Sequence, residues 1–87
     1  ILEMGTKEKL IERFKRQPTD FTFDEMIKLL GFFGYNIYNK GKTSGSRVIF
    51  ICKDKAPIML HKPHPKNVVK SYAMKQVLDY LSELGLI

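Results

Sequence analysis

Cysteine and long apolar runs are scarce in this sequence of 87 residues, and each scarcity excludes a class of protein. The single cysteine, Cys52, excludes an internal disulfide and fits a reducing cytoplasm. It lies in an apolar stretch, where we expect it to pack as a small hydrophobe. No apolar run approaches the roughly 18 residues of a membrane span, and the opening stretch ILEMGTKEK has no apolar core of the signal-peptide type. We therefore expect a cytoplasmic protein that does not enter a membrane.

Acidic residues are nearly absent from one part of the chain. Residues 1–39 hold six Lys/Arg and six Asp/Glu, whereas residues 40–75 hold nine Lys/Arg and a single acid, Asp54. The overall net charge of +6 therefore comes from the second stretch. Such an uneven distribution is typical of a protein that binds a polyanion. A solubilising surface and an acidic protein partner are the alternative interpretations.

The first half of the chain predicts two helices. Residues 6–16 carry an apolar stripe at helical spacing, with Thr6 as the expected N-cap, and the pair Gln17-Pro18 ends this helix. Thr22, with Glu25 three residues later, has the pattern of a capping box and predicts the start of a second helix.

The second half predicts three strands and a long helix. Gly34 is expected to end the second helix, and Gly85 the last one. The strands are expected at residues 35–39, 47–53 and 58–61, with a turn at 54–57, and the helix at 67–84. Short connections favour antiparallel neighbours. We predict one α+β domain over residues 1–87, with a three-stranded antiparallel sheet, helices packed on one face, and residues 1–5 disordered or foreign to the native chain.

The loop between the first two strands is a candidate anion-binding segment. Residues 40–46, KGKTSGS, combine glycines, hydroxyls and two ammonium groups, which suits a phosphate backbone. The same residues are typical of an ordinary solvated hairpin loop. The segment lacks the upstream glycine of a phosphate-binding P-loop.

Two histidines, His61 and His64, lie in a stretch rich in lysine and proline. A histidine among cations that bind phosphate can titrate near neutrality and move protons. A lone histidine is more often structural or merely exposed. Together with Cys52 the two histidines have no spacing typical of a metal site, so we expect neither a metal nor another cofactor.

The order of these motifs resembles the HicA family of type II toxin–antitoxin toxins. The resemblance rests on FDEMIKLLGFFGY, NKGKTSGSRVIF, a strand ending in HKPHPK and a final lysine-bearing helix ending in LGLI, and it covers residues 22–87. It implies a fold similar to double-stranded-RNA-binding domains, in the order α-β-β-β-α. It also implies a metal-independent ribonuclease that acts on messenger RNA and is neutralised by a HicB-like antitoxin. Residues 6–17 would then form a helix additional to the family core.

The sequence departs from the family at Arg47. The family's functional histidine follows a Gly-Ser pair, and here Gly45-Ser46 is followed by arginine. Arginine cannot act as a general base because it stays protonated, but it can hold a phosphate. We therefore expect His64 or His61 to move protons and Arg47 to stabilise negative charge. The expected RNA-binding residues are Lys40, Lys42, Ser46, Arg47, Lys62, Lys66 and Lys70.

Two alternatives to a ribonuclease remain open. The arginine favours an RNA-binding module that regulates translation without cleaving RNA. The basic stretch is also compatible with a protein-interaction domain that meets only an acidic partner.

Overall fold

The computed structural model describes residues 5–38 and 47–87 of the chain. Over these two ranges, three helices and three strands follow one another as α1 (Thr6–Lys15), α2 (Phe23–Phe32), β1 (Asn36–Tyr38), β2 (Arg47–Cys52), β3 (Lys55–His61) and α3 (Ser71–Glu83). Within these described residues, no helix has the length and apolar character needed to cross a bilayer.

The N-cap of α1 lies one residue before the predicted one. Gly5, rather than Thr6, is the N-cap, with extended backbone angles (φ −70°, ψ 171°) and a carbonyl that accepts a hydrogen bond from Lys9 N at 3.0 Å. The prediction of Thr6 as the N-cap is wrong, because Thr6 already belongs to the first turn of the helix. The end of α1 agrees with the prediction, since Gln17 leaves the helix in the left-handed region (φ 54°) just before Pro18, which disfavours a right-handed helical residue before it.

Helix α2 begins with the predicted capping box. Glu25 N donates to Thr22 Oγ1 at 3.1 Å, and Thr22 N donates to Glu25 Oε1 at 2.9 Å. At its other end Gly34 takes a positive φ of 92°, and Tyr35 N donates to Leu30 O at 3.0 Å. Both ends of α2 therefore follow from local sequence chemistry.

The three strands form one antiparallel sheet in the order β1-β2-β3. Strand β3 begins at Lys55, three residues before the predicted start, because the turn after β2 contains only Lys53 and Asp54. Pro57 therefore lies inside a strand. A proline is tolerated there because β3 is an edge strand and because the β2–β3 register shifts between the pairs Phe50–Ile58 and Cys52–Lys55, so that Pro57 lies at an irregularity of the ladder.

Helix α3 begins at Ser71, four residues later than predicted. Val68 instead forms an isolated antiparallel bridge with Thr22. Val69 N donates to Phe21 O at 2.8 Å, and Phe23 N donates to Asn67 O at 3.1 Å. These hydrogen bonds hold residues 67–69 against the entrance to α2, so α3 does not start there.

All three helices contribute to one core on one face of the sheet. Phe14 packs against Phe21 with ring centroids 5.5 Å apart and ring planes tilted by 58°, and Phe23 meets Phe50 of β2 edge-on at 6.2 Å. This arrangement confirms the α+β prediction. The buried core consists of Leu10, Phe14, Phe21, Phe23, Met26, Leu29, Leu30, Tyr35, Phe50, Ile58, Leu60, Val69, Met74, Val77 and Leu81.

The opposite face of the sheet, here called the outer face, carries apolar side chains that remain exposed. Tyr38, Ile49 and Met59 lie side by side across the three strands, and Ile51 lies one step along β2. Tyr38 is 44%, Met59 47% and Ile51 41% exposed. The side chains at the end of this face are Arg47 and His61, which pair directly across β2 and β3.

Cys52 packs partly against the core, as predicted for a small hydrophobe. Its thiol also donates to Asp54 Oδ1 at 3.3 Å, and Lys55 Nζ lies 3.3 Å from the same oxygen. The hydrogen bond from Cys52, followed by the contacts with Lys55, lowers the pKa of Asp54. The cluster stabilises the tight turn between β2 and β3.

Candidate functional site

A groove of about 500 Å³ lies where the end of β3, the connector of residues 62–70 and the first turns of α3 meet. Clefts of this size are typical of sites for small ligands or single nucleotides. The groove is lined by Phe23, Met59, Leu60, His61, Lys62, Pro63, His64, Val69, Lys70, Tyr72, Ala73 and Gln76.

The floor of the groove is apolar and belongs to the core. Phe23, Leu60 and Val69 are buried and come from α2, β3 and the connector respectively. Above this floor stand two exposed side chains, Met59 and Tyr72, with Tyr72 56% exposed. The groove thus offers a flat group an apolar base and an aromatic wall.

The rim of the groove carries the ammonium groups of two lysines and the imidazole rings of two histidines. His61, Lys62, His64 and Lys70 all line it, and all four side chains are exposed. Among the described residues that line the groove, none is an aspartate or glutamate. An anion in the groove would therefore meet two ammonium groups and two imidazoles without a competing carboxylate.

Backbone hydrogen bonds hold both ends of the connector. At the first end, the β2–β3 ladder places His61 opposite Arg47. At the second end, the bonds of Val69 to Phe21 and of Phe23 to Asn67 fix the chain before α3. The peptide bond between His64 and Pro65, midway along the connector, is cis.

The start of α3 faces the groove with an unusual residue at its cap. Lys70 is the N-cap, with extended backbone angles (φ −71°, ψ 152°) and no side-chain hydrogen bond to the first turn. That first turn, which lies wholly in the described part of the chain, has no acidic residue. A cation at the positive end of a helix is unfavourable, and the free N–H groups there attract anions. A bound phosphate would offset both effects.

The structure brings together four of the residues predicted from sequence. His61, Lys62, His64 and Lys70 line one groove although nine positions separate the first from the last. Arg47 is not among the lining residues, but it lies beside His61 on the outer face, and directly paired side chains of antiparallel strands lie about 5 Å apart at Cβ.

Of the remaining predicted site residues, Lys66 is in the described part of the chain. Lys66 is exposed in the connector and does not line the groove. Lys40, Lys42 and Ser46 lie outside the described residues.

Sequence reasoning missed the apolar and aromatic part of the groove. Tyr72 and Gln76 are four residues apart and therefore share a face of α3, and neither belongs to the apolar stripe of that helix. This spacing was the signal that could have found them. For Met59, the only signal in the sequence was its outward position between Ile58 and Leu60 of β3, which are both buried.

The three potential metal ligands noted in the sequence do not come together. Cys52 pairs with Lys55 at the turn end of the β2–β3 hairpin, whereas His61 is at the opposite end. Across residues 5–38 and 47–87, no group of three or more His, Cys, Asp or Glu is arranged to hold a metal ion.

Comparison of the chain with protein-family models, curated proteins and solved structures finds no match.

Proposed function

We propose that this chain is an RNA-binding domain of the HicA toxin type and that it grips RNA in the groove between β3, the connector and α3. One observation carries the proposal. Two histidines and two lysines share a groove whose described lining holds no carboxylate and which opens on the start of a helix. This combination suits a phosphodiester, because cations and helix N–H groups bind its charge.

The two histidines supply the groups that RNA cleavage requires. One imidazole takes the proton from a 2′-hydroxyl, whose oxygen attacks the adjacent phosphorus. The bond from phosphorus to the 5′-oxygen breaks, and the second histidine, as imidazolium, gives that oxygen a proton. The products are a 2′,3′-cyclic phosphate and a free 5′-hydroxyl. Proton transfer of this kind contributes about 10²–10⁴-fold to a rate.

Arg47 stabilises the negative charge that develops on the phosphate. It neighbours His61 across the strand pair, so a phosphate held at His61 comes within reach of its guanidinium. A guanidinium can donate two parallel hydrogen bonds to phosphate oxygens, and it keeps its charge throughout the reaction.

The protein partner in this proposal is a HicB-like antitoxin. The exposed apolar side chains of the outer face, Tyr38, Ile51 and Met59, would give such a partner a surface to bury. Because Arg47 and His61 close one end of that surface, a partner bound there would also cover the edge of the groove.

A binding module without catalysis is the second candidate. Arg47 favours it, because the histidine expected from the family resemblance is missing at this position. Such a module would bind RNA through the same cationic rim and thereby regulate its translation.

Incubation of purified protein with a labelled RNA, with and without Mg²⁺, tests the proposal. We expect cleavage that His64→Ala or His61→Ala reduces at least 100-fold while RNA binding persists. Binding without any cleavage in either condition would leave the binding module. Absence of salt-sensitive RNA binding would contradict both and favour the protein-interaction domain.

A further inference from the structure

We propose that the groove receives one unpaired nucleotide with its base stacked on Tyr72, so that the protein selects single-stranded over double-stranded RNA. This inference rests on the proposed RNA binding and names the form of RNA that the site takes. It assigns a role to the part of the groove that carries no charge.

Tyr72 occupies a position that the core does not explain. Its side chain is 56% exposed in the first turn of α3, whereas Met74 and Val77 on the same helix are buried. It lines the groove together with Met59, which is 47% exposed. Aromatic side chains bind unpaired bases by stacking, with little dependence on the identity of the base.

Gln76 lies one helical turn after Tyr72 and lines the same groove. Its amide has both donors and an acceptor, so it can hydrogen-bond the edge of a base that stacks on the tyrosine. In a duplex that edge is engaged by the complementary base.

The shape of the groove also opposes a duplex. Its floor, formed by Phe23, Leu60 and Val69, is apolar and concave. Double-stranded RNA is recognised mostly through phosphates and 2′-hydroxyls, with its bases stacked inside the helix. A duplex keeps its bases inside the helix and away from this floor, whereas an unpaired base can enter the groove and lie on it.

The charges of the rim are placed to hold the same nucleotide. Lys62 and Lys70 line the groove from the two ends of the connector, with His64 between them and His61 just before Lys62. A single nucleotide brings a flat apolar base and an anionic phosphate at once, and the groove offers a complement to each.

Fluorescence anisotropy with a labelled 12-nucleotide RNA, alone and annealed to its complement, tests the proposal. We expect wild-type protein to bind the single strand more tightly. Tyr72→Ala should weaken single-strand binding about 5- to 150-fold, the range that corresponds to loss of one stacked base, and Tyr72→Phe should retain it. Tyr38→Ala is the matched control, because Tyr38 is similarly exposed but lies on the outer face.

The salt dependence separates stacking from charge. Tyr72→Ala should leave the slope of log K against log salt unchanged, whereas Lys62→Ala should lower it by about 0.7. A 2-aminopurine base in the RNA should be quenched by wild type and less by Tyr72→Ala. Circular dichroism establishes that each variant is folded.

Three results would overturn the inference while leaving RNA binding in place. They are tighter binding to the duplex, unchanged single-strand affinity in folded Tyr72→Ala, and an equal loss in Tyr38→Ala. Failure of wild type to bind either form of RNA would instead overturn the proposed function itself.

Discussion

Replacement of Lys70 by serine should make the protein more stable and a weaker RNA binder. Lysine at the N-cap of α3 makes no side-chain hydrogen bond to the first turn. A serine hydroxyl could accept a hydrogen bond from the backbone N–H of Tyr72 or Ala73, two or three residues on. The same change removes a positive charge from the positive end of the helix.

The two effects have the same sign and can be added. A side-chain cap is worth about 0.5–2 kcal/mol, and removal of an unfavourable charge from a helix end about 0.3–1 kcal/mol. The two ranges add to about 0.8–3 kcal/mol, and within that range we expect a gain of about 1–2 kcal/mol in the free energy of unfolding. For a domain of this size, that gain raises the melting temperature by roughly 5–10 °C.

Thermal and urea unfolding followed by circular dichroism measure the gain, and RNA titrations across salt measure the loss. Loss of one phosphate contact should lower the slope of log K against log salt by about 0.7. Lys75→Ser is the matched control. It removes an equal charge from the same helix and breaks the 3.1 Å ion pair with Asp79, so stability should fall slightly and the slope should not change.

A melting temperature that does not rise in Lys70→Ser would show that the charge at the cap has no cost. An unchanged salt slope would show that the groove does not hold a phosphate at the start of α3. Both results together would refute the reasoning that connects the unusual cap with RNA binding.

Three further predictions concern the α2 entrance and Arg47. Thr22→Ala should cost about 1 kcal/mol of stability in urea unfolding, because it removes a side-chain cap. Burial raises the pKa of Glu25, but hydrogen bonds from Arg13 and from the Thr22 backbone N–H outweigh it and hold the pKa below 4.5. Stability should therefore be lost as pH falls from about 4.5 through the lowered pKa, and Glu25→Gln should flatten that loss. Arg47→His should raise RNA cleavage about 10²-fold or more if the site resembles the HicA site, with an optimum near neutrality.

Each of these predictions has its own control. Thr19→Ala, at an exposed position just before α2, should leave the urea midpoint unchanged, and an equally unchanged midpoint in Thr22→Ala would remove the role of the cap. Acid unfolding that is identical in Glu25→Gln and wild type would show that other carboxyls set it. Reduced cleavage in Arg47→His would mean that the guanidinium, rather than an imidazole, is what this site needs.

Features that depend on neighbouring residues were predictable from sequence. The capping box of Thr22 and Glu25 and the left-handed glycine at Gly34 lie where the patterns place them, because the partners of each hydrogen bond are within a few residues. The central strand was equally clear, since Phe50 faces the core and Ile51 faces outward.

Features that depend on distant residues were not predictable. The delayed start of α3 comes from the pairing of Val68 with Thr22, 46 positions earlier in the chain. The early start of β3 required knowing that it is an edge strand, where Pro57 is tolerated. For the candidate site, the lysines and histidines of the rim were predicted from the sequence. Tyr72 was not, because it lines the groove only through the packing of α3 beside β3.

The connector that carries most of the rim is anchored at both ends by main-chain hydrogen bonds, to which Asn67 Nδ2 adds one side-chain hydrogen bond to Asp24 Oδ2 at 3.3 Å. The β2–β3 ladder fixes it at His61, and the paired backbones of residues 21–23 and 67–69 fix it at Val69. Amide and carbonyl groups are the same in nearly every residue, so the path of this segment survives changes in most of the side chains it displays. Point substitutions can thus change the charged and polar side chains that line the groove without disturbing the fold of the domain. Arg47→His, at the neighbouring position on β2, is the kind of substitution that such a scaffold should tolerate.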